Sequence, residues 1–149
     1  YSTDMFSAYQ ISMNDVATIL DTALNSDVVL YNGGAALDYD TAPGAGTNGT
    51  VTLSESAAGF ADMRIYFCTD QYSAMSSIDV HDPDGRAVSM FCCTTSSGAM
   101  VINGCVATVS GVKVTPVQGG WGRRTLWDNG TTVASSNDGI YVVRVEGRR

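Results

Sequence analysis

From Val28 onward, apolar and polar residues alternate in short runs, and the runs are cut by clusters of Gly, Pro, Asn and Asp. A period of two places the apolar side chains on one face of a strand, so the pattern builds half-buried sheet. Val51 and Leu53 share a face within 50–54. Met63, Ile65 and Phe67 alternate with Arg64, Tyr66 and Cys68, and Ile78 and Val80 alternate with Asp79 and His81. The last strand, 140–145, is rich in β-branched residues. Asn32-Gly33-Gly34 closes a short strand at 28–31, and 38–49 reads as loop. Asp82-Pro83-Asp84-Gly85 is a strong turn, so 77–93 reads as a hairpin. A strand over 100–109 turns at Gly111 into 112–116, and Gly119-Gly120-Trp121-Gly122 reads as a loop. Leu126-Trp127 runs into Asn129-Gly130, a hairpin-type dipeptide. The expected fold is mainly β, a β-sandwich or barrel-like domain of about eight to ten short antiparallel strands.

Composition closes off the helical alternative. Charged residues are 15% of the chain, against roughly 25% in soluble domains. Glu occurs only at 55 and 146 and Lys only at 113, so exposed helical surface has few of its usual residues. Apolar residues at 44% suffice for a core. The net charge of −7 argues against nucleic-acid binding, which needs cations to neutralise phosphates. Cations are also unevenly placed: none precedes Arg64, and Arg123, Arg124, Arg144, Arg148 and Arg149 crowd the last third. That asymmetry reads either as an acidic lead-in docking on the basic end of a partner subunit or as two ordinary solvated faces. No apolar run reaches the roughly 18 residues of a membrane span, so no membrane insertion is expected. No signal peptide is visible, and a start at Tyr1 reads as a fragment or processed product.

One segment departs from the β pattern. Ser12 and Asp15 stand as N-cap and third helical residue, and Val16, Ile19, Leu20, Ala23 and Leu24 follow at helical spacing. An isolated amphipathic helix this short is marginal in water. It must pack on its own domain, as any ordinary helix does, or on copies of itself, as at a trimeric stalk junction, where those five residues are the candidate contacts. The organisation expected is a helical lead-in over 1–26 and a β-rich domain over 27–149.

Reactive groups are sparse. His81 is the single histidine, and no nucleophile elbow accompanies it. Asp79, His81, Asp82 and Asp84 cluster before Gly85 as a calcium loop would, but the later Glu of that pattern is missing, and turn chemistry explains Pro83 and Gly85. Cys68, Cys92, Cys93 and Cys105 lack metal-ligand spacing and read as reduced thiols serving as small apolar residues, with one long-range disulfide as the alternative. No phosphate-cradling loop is present, so no catalytic residue, metal or cofactor is expected. Trp121, Arg123, Arg124 and Trp127, with Tyr39, are the candidate receptor contacts, since aromatic and Arg side chains concentrate at binding sites and stack on sugars. The alternative for Trp121 and Trp127 is a place in the core. Loops 32–49 and 117–130 are the expected working surface.

Four stretches carry a resemblance: GTVTLSESAAGF over Gly49 to Phe60, MRIYF over Met63 to Phe67, the Val80-x-Asp-Pro-Asp-Gly85 turn, and the finish IYVVRVEGR over Ile140 to Arg148. Together they resemble a C-terminal, receptor-binding domain of tail-fibre-like structural proteins of bacteriophages and prophages, over about residues 28–149. Asp82 and Asp84 depart from the Asn usual in that turn, and the chain ends in Gly-Arg-Arg where the family has Gly-Tyr. The resemblance implies a homotrimeric virion component, assembled in the bacterial cytoplasm, that recognises a host-surface glycan or protein without catalysis. The rivals are a purely structural decoration or head-fibre domain and a secreted carbohydrate-binding module.

Overall fold

The computed structural model describes residues 12–21, 26–37, 49–69, 75–96, 99–127, 132–135 and 140–149. The protein is mainly β, with one short N-terminal helix, α1, over 12–21. The described strands number nine: β1 (Val28–Leu37), β2 (Val51–Thr52), β3 (Asp62–Cys68), β4 (Ser76–His81), β5 (Ala87–Ser96), β6 (Ala99–Ser110), β7 (Lys113–Trp127), β8 (Thr132–Ser135) and β9 (Ile140–Arg148). They form two antiparallel sheets. The first has the order β1-β9-β3-β4, and the second the order β2-β7-β6-β5 with β8 added on β7.

The alternation predicts the core. Met63, Ile65 and Phe67 on β3, Val80 on β4 and Val142 and Val145 on β9 are buried. Val88 and Met90 on β5, Cys105, Ala107 and Val109 on β6 and Val114 on β7 are buried as well and join them in one cluster. Each fully buried aliphatic or aromatic side chain contributes roughly 1.5–3 kcal/mol, so this cluster is the main source of stability. Cys68 departs from its expected set: it is buried at the end of β3, not exposed with Arg64. Ser54 and Leu53 tie the sheets together behind the short β2, since the Leu53 N–H donates to the Val112 carbonyl and the Ser54 N–H to the Leu30 carbonyl.

Three expectations change. Asn32-Gly33-Gly34 does not end the first strand. β1 runs on to Leu37 because β9 offers a long partner, and the glycines are absorbed in an irregularity between Asn32 and Ala35. Residues 77–93 are not a hairpin either, since β4 and β5 belong to different sheets. The turn between them is a corner. Asp82 at φ 46° and Gly85 at φ 77° supply left-handed backbone, and Pro83 is buried. The corner is then tied to the second sheet: Gly85 N–H donates to the Val109 carbonyl, and Gly111 N–H donates to Asp84 Oδ1 at 2.7 Å.

The third change concerns 117–127, which is strand and not loop. β6 and β7 form a long hairpin whose two-residue connection, Gly111-Val112, has Gly111 at φ 54°, as a glycine in the first central position of a tight hairpin turn provides. The pairing breaks once. Ala107 pairs with Pro116 and Cys105 with Trp121, so Val106 stands opposite the four residues 117–120. The Gly119-Gly120 pair therefore serves a bulge inside a strand. Asn129 and Gly130 lie outside the described residues, but β7 and β8 are antiparallel on either side of them, with Leu126 opposite Thr132.

Candidate functional site

The outer face of the first sheet is built by register. Asp62, Arg64 and Tyr66 alternate with the core residues of β3 and face outward. β4 sets His81 opposite Asp62, Asp79 opposite Arg64 and Ser77 opposite Tyr66. On the other side β9 sets Arg148 opposite Asp62, Glu146 opposite Arg64 and Arg144 opposite Tyr66. Directly opposed residues share a face, so opposite charges alternate across three strands. Asp27, just before β1, extends one row through an ion pair with Arg148 at 3.1 Å.

The groups on this face neutralise one another. Arg64 holds Asp79 in a two-point pair, Nε to Oδ1 at 2.6 Å and Nη2 to Oδ2 at 2.8 Å. That hydrogen bonding lowers the Asp79 carboxyl below its usual range and raises the guanidinium. His81 Nδ1 meets Asp62 Oδ1. Glu146, the most shielded carboxylate here, accepts from Tyr66 Oη at 2.8 Å and pairs with Arg144 Nη2 at 2.6 Å. Between them lies an open groove lined by Asp27, Asp62, Arg64, Asp79, His81 and Arg148, among others. The Asp79–Asp84 cluster does not converge: Asp79 turns to Arg64, His81 to Asp62, and Asp84 to the backbone of Gly111. Among the described residues, no group of three or more His, Cys, Asp or Glu could hold a metal ion.

The same geometry resolves much of the C-terminal arginine cluster. Arg148 pairs with Asp27, Arg144 with Glu146, and Arg149 with Glu55 at 2.6 Å. Arg149 also lies over the Phe60 ring, 5.0 Å from its centroid. Each of these three cations therefore has a carboxylate partner in its own chain. The alternating charges were readable at i, i+2 spacing in three strands, Asp62/Arg64, Asp79/His81 and Arg144/Glu146/Arg148. Of these residues, Asp79 and His81 stand out in the sequence as part of a polar cluster, while Asp62, Arg64 and Glu146 carry no signal beyond strand alternation.

The residues expected to touch a receptor are only partly brought together. Trp121, Arg123, Arg124 and Trp127 all fall on the distal part of β7, beyond the bulge, and their backbones pair with Cys105, Asn103, Ile102 and Ala99 of β6. Arg123 and Arg124 also pair with Ser135 and Ala134 of β8. Tyr39 and the rest of the 38–48 loop lie outside the described residues. On α1, Val16, Ile19 and Leu20 are 49%, 67% and 54% exposed, so the apolar stripe is present and uncovered. Ala23 and Leu24 lie outside the described residues.

No disulfide joins the four cysteines, and Cys68, Cys92 and Cys105 are buried while Cys93 is exposed. Burial pushes the Cys92 thiol up, which keeps it protonated and inert. No described helix is long and apolar enough to cross a membrane. Compared with protein-family models and with curated proteins, the sequence matches none.

Proposed function

We propose that this chain is a non-catalytic domain of a virion appendage of the tail-fibre type, acting as a homotrimer to attach the particle to a host-surface glycan or protein. The observation that carries the proposal is the helix that precedes the β domain with its apolar stripe uncovered. Met13, Val16, Ile19 and Leu20 are each about half exposed or more. A helix this short does not hold alone in water, so its stripe needs a partner, and copies of itself on a common axis are the simplest one. Val16, Ile19 and Leu20 are then the axial contacts. The resemblance of 49–60, 63–67, 80–85 and 140–148 to tail-fibre-like domains supplies the appendage context.

Two further observations support this reading. The residues that line the charged groove include His81 beside Asp62 but no Ser, Thr or Cys that such a pair could activate as a nucleophile. Three thiols are buried as small apolar residues, as suits assembly in a reducing compartment better than secretion. The distal arm of β7, with Trp121, Arg123, Arg124 and Trp127, is the candidate receptor surface.

The test is binding. Labelled chain is titrated onto bacterial cells and onto purified capsular polysaccharide, lipopolysaccharide and teichoic acid. Saturable binding to at least one, weakened about tenfold or more by Trp127→Ala in a folded variant, is the expected result. Reproducible absence of binding across all of them overturns host recognition in favour of a purely structural decoration.

A further inference from the structure

The groove on the outer face of the first sheet gathers charge in a chain that has little of it. Four carboxylates, two guanidiniums and the single histidine line it, in a sequence of only 15% charged residues. A solvated sheet face in this chain does not need them. From Ala87 to Val112 no residue is charged, and β5 still exposes Ala87, Ser89 and Phe91 to water. The groove measures about 200 Å³, less than the roughly 300–1,000 Å³ of pockets that take drug-sized molecules, so its size suits one small unit.

The pairing within the groove decides what such a unit can be. Arg64 donates two N–H groups to Asp79, Arg148 Nε donates to Asp27, His81 meets Asp62, and Glu146 is held by Tyr66 and Arg144. A small anion has to displace a carboxylate from one of these pairs, and it meets four carboxylates against two guanidiniums. A small cation has to displace a guanidinium. A neutral hydroxyl displaces neither. A carboxylate offers about four acceptor positions and a guanidinium five N–H donors, so the two-point pair of Arg64 and Asp79 keeps capacity to spare. Acceptor and donor then stand side by side. Two neighbouring hydroxyls use them together, one donating to the carboxylate and the other accepting from the guanidinium. The pair also fixes both side chains before a ligand arrives, which cuts the ordering cost of binding.

We infer that this groove binds one neutral sugar unit through vicinal hydroxyls, with Asp79 and Arg64 as the central contacts and Asp62 and His81 beside them. β3 and β4 hold those four in register, Asp79 opposite Arg64 and His81 opposite Asp62. The inference rests on the glycan half of the proposed function, names the glycan unit as uncharged, and gives it a site separate from the distal arm of β7. Contact through neutral hydroxyls persists as salt rises, whereas attraction of an anionic polysaccharide to arginines is screened.

The experiment uses the full 149-residue chain, isotope-labelled for amide spectra. Methyl glycosides of glucose, galactose, mannose and N-acetylglucosamine are titrated into the wild type and into Asp79→Ala, whose fold is checked by circular dichroism. The expected result is saturable shifts at 62–66 and 79–81 with at least one glycoside. Its Kd should be on the order of millimolar, since a ligand of this size has few atoms to contribute. Asp79→Ala weakens that binding about tenfold or more, and added sodium chloride leaves it unchanged. Absence of saturable shifts with every glycoside overturns the groove, as do shifts confined to 121–127 or binding that Asp79→Ala leaves intact. Binding lost at physiological salt overturns the neutral-hydroxyl contact. Cell binding that persists while the groove stays silent leaves host recognition standing. Glycoside bound in the groove by a chain that binds no cells or polysaccharide upholds the groove and overturns host attachment. Should Asp79→Ala fail to fold, the position of the shifts in the wild type decides.

Discussion

Gly147, on β9, shows how a single hydrogen atom can be the side chain that fits. A Cβ there would lie 2.6 Å from Phe60 Cδ1 and 2.9 Å from Leu30 Cδ1. Both neighbours are buried, so neither can give way freely. Phe60 is held from above as well, by the Arg149 guanidinium that pairs with Glu55. Gly147→Ala is therefore expected to cost about 1–3 kcal/mol in urea unfolding, as overpacking does. Gly59→Ala is the control, since nothing lies within 4 Å of the added carbon, and its midpoint should stay close to the wild type. Asp79 gives a second residue-level expectation. Its pairing with Arg64 lowers the folded pKa, so the contribution is present above the unfolded value and is lost as pH falls through the folded one. Asp79→Asn should thus unfold at lower urea than the wild type at pH 7, with the gap closing toward pH 2–3. A gap that persists or widens in acid would show that the pairing contributes nothing.

At the scale of elements, the corner between β4 and β5 carries the chain from the first sheet to the second. The carboxylate of Asp84 reaches 27 residues along the chain to the N–H of Gly111, fastening the corner to the β6–β7 turn. Asp84→Ala should lower stability by about 1–2 kcal/mol, and Asp84→Asn, which keeps the acceptor, by less. The corner also shows where the sequence stops being informative. Asp82-Pro83-Asp84-Gly85 announces a turn, but turn residues set local φ and not which sheet the next strand joins. That choice comes from long-range pairing of β5 with β6, which local alternation does not encode. In the same way, Gly119-Gly120 signals a break, and a bulge within β7 and a loop use the same residues. The strand interiors were legible because Met63, Ile65 and Phe67 repeat at the period of the pleat. The charges repeat at i, i+2 within each strand, but which strands are neighbours, and so the row of His81, Asp62 and Arg148, is set by register. The distal arm of β7 stayed the least legible part, because aromatic and Arg residues suit a core, an interface and a glycan site equally well.

For the whole molecule, the proposed homo-oligomer raises the question of what would hold copies together, and salt answers it. Two schemes make opposite demands. If an acidic lead-in docked on a basic C-terminus of a neighbour, added salt would screen the attraction and loosen the assembly. The ion pairs point the other way, because Arg148 and Arg149 are already engaged by Asp27 and Glu55 of their own chain. Copies that met through the stripe of α1 would gain from apolar burial and be opposed by the mutual repulsion of −7 charges. Screening relieves that repulsion over distances beyond about 8–10 Å at physiological salt and leaves apolar contacts intact. The expected outcome is that association measured by sedimentation tightens as sodium chloride rises from low to physiological strength. Loosening over that range would restore the electrostatic scheme.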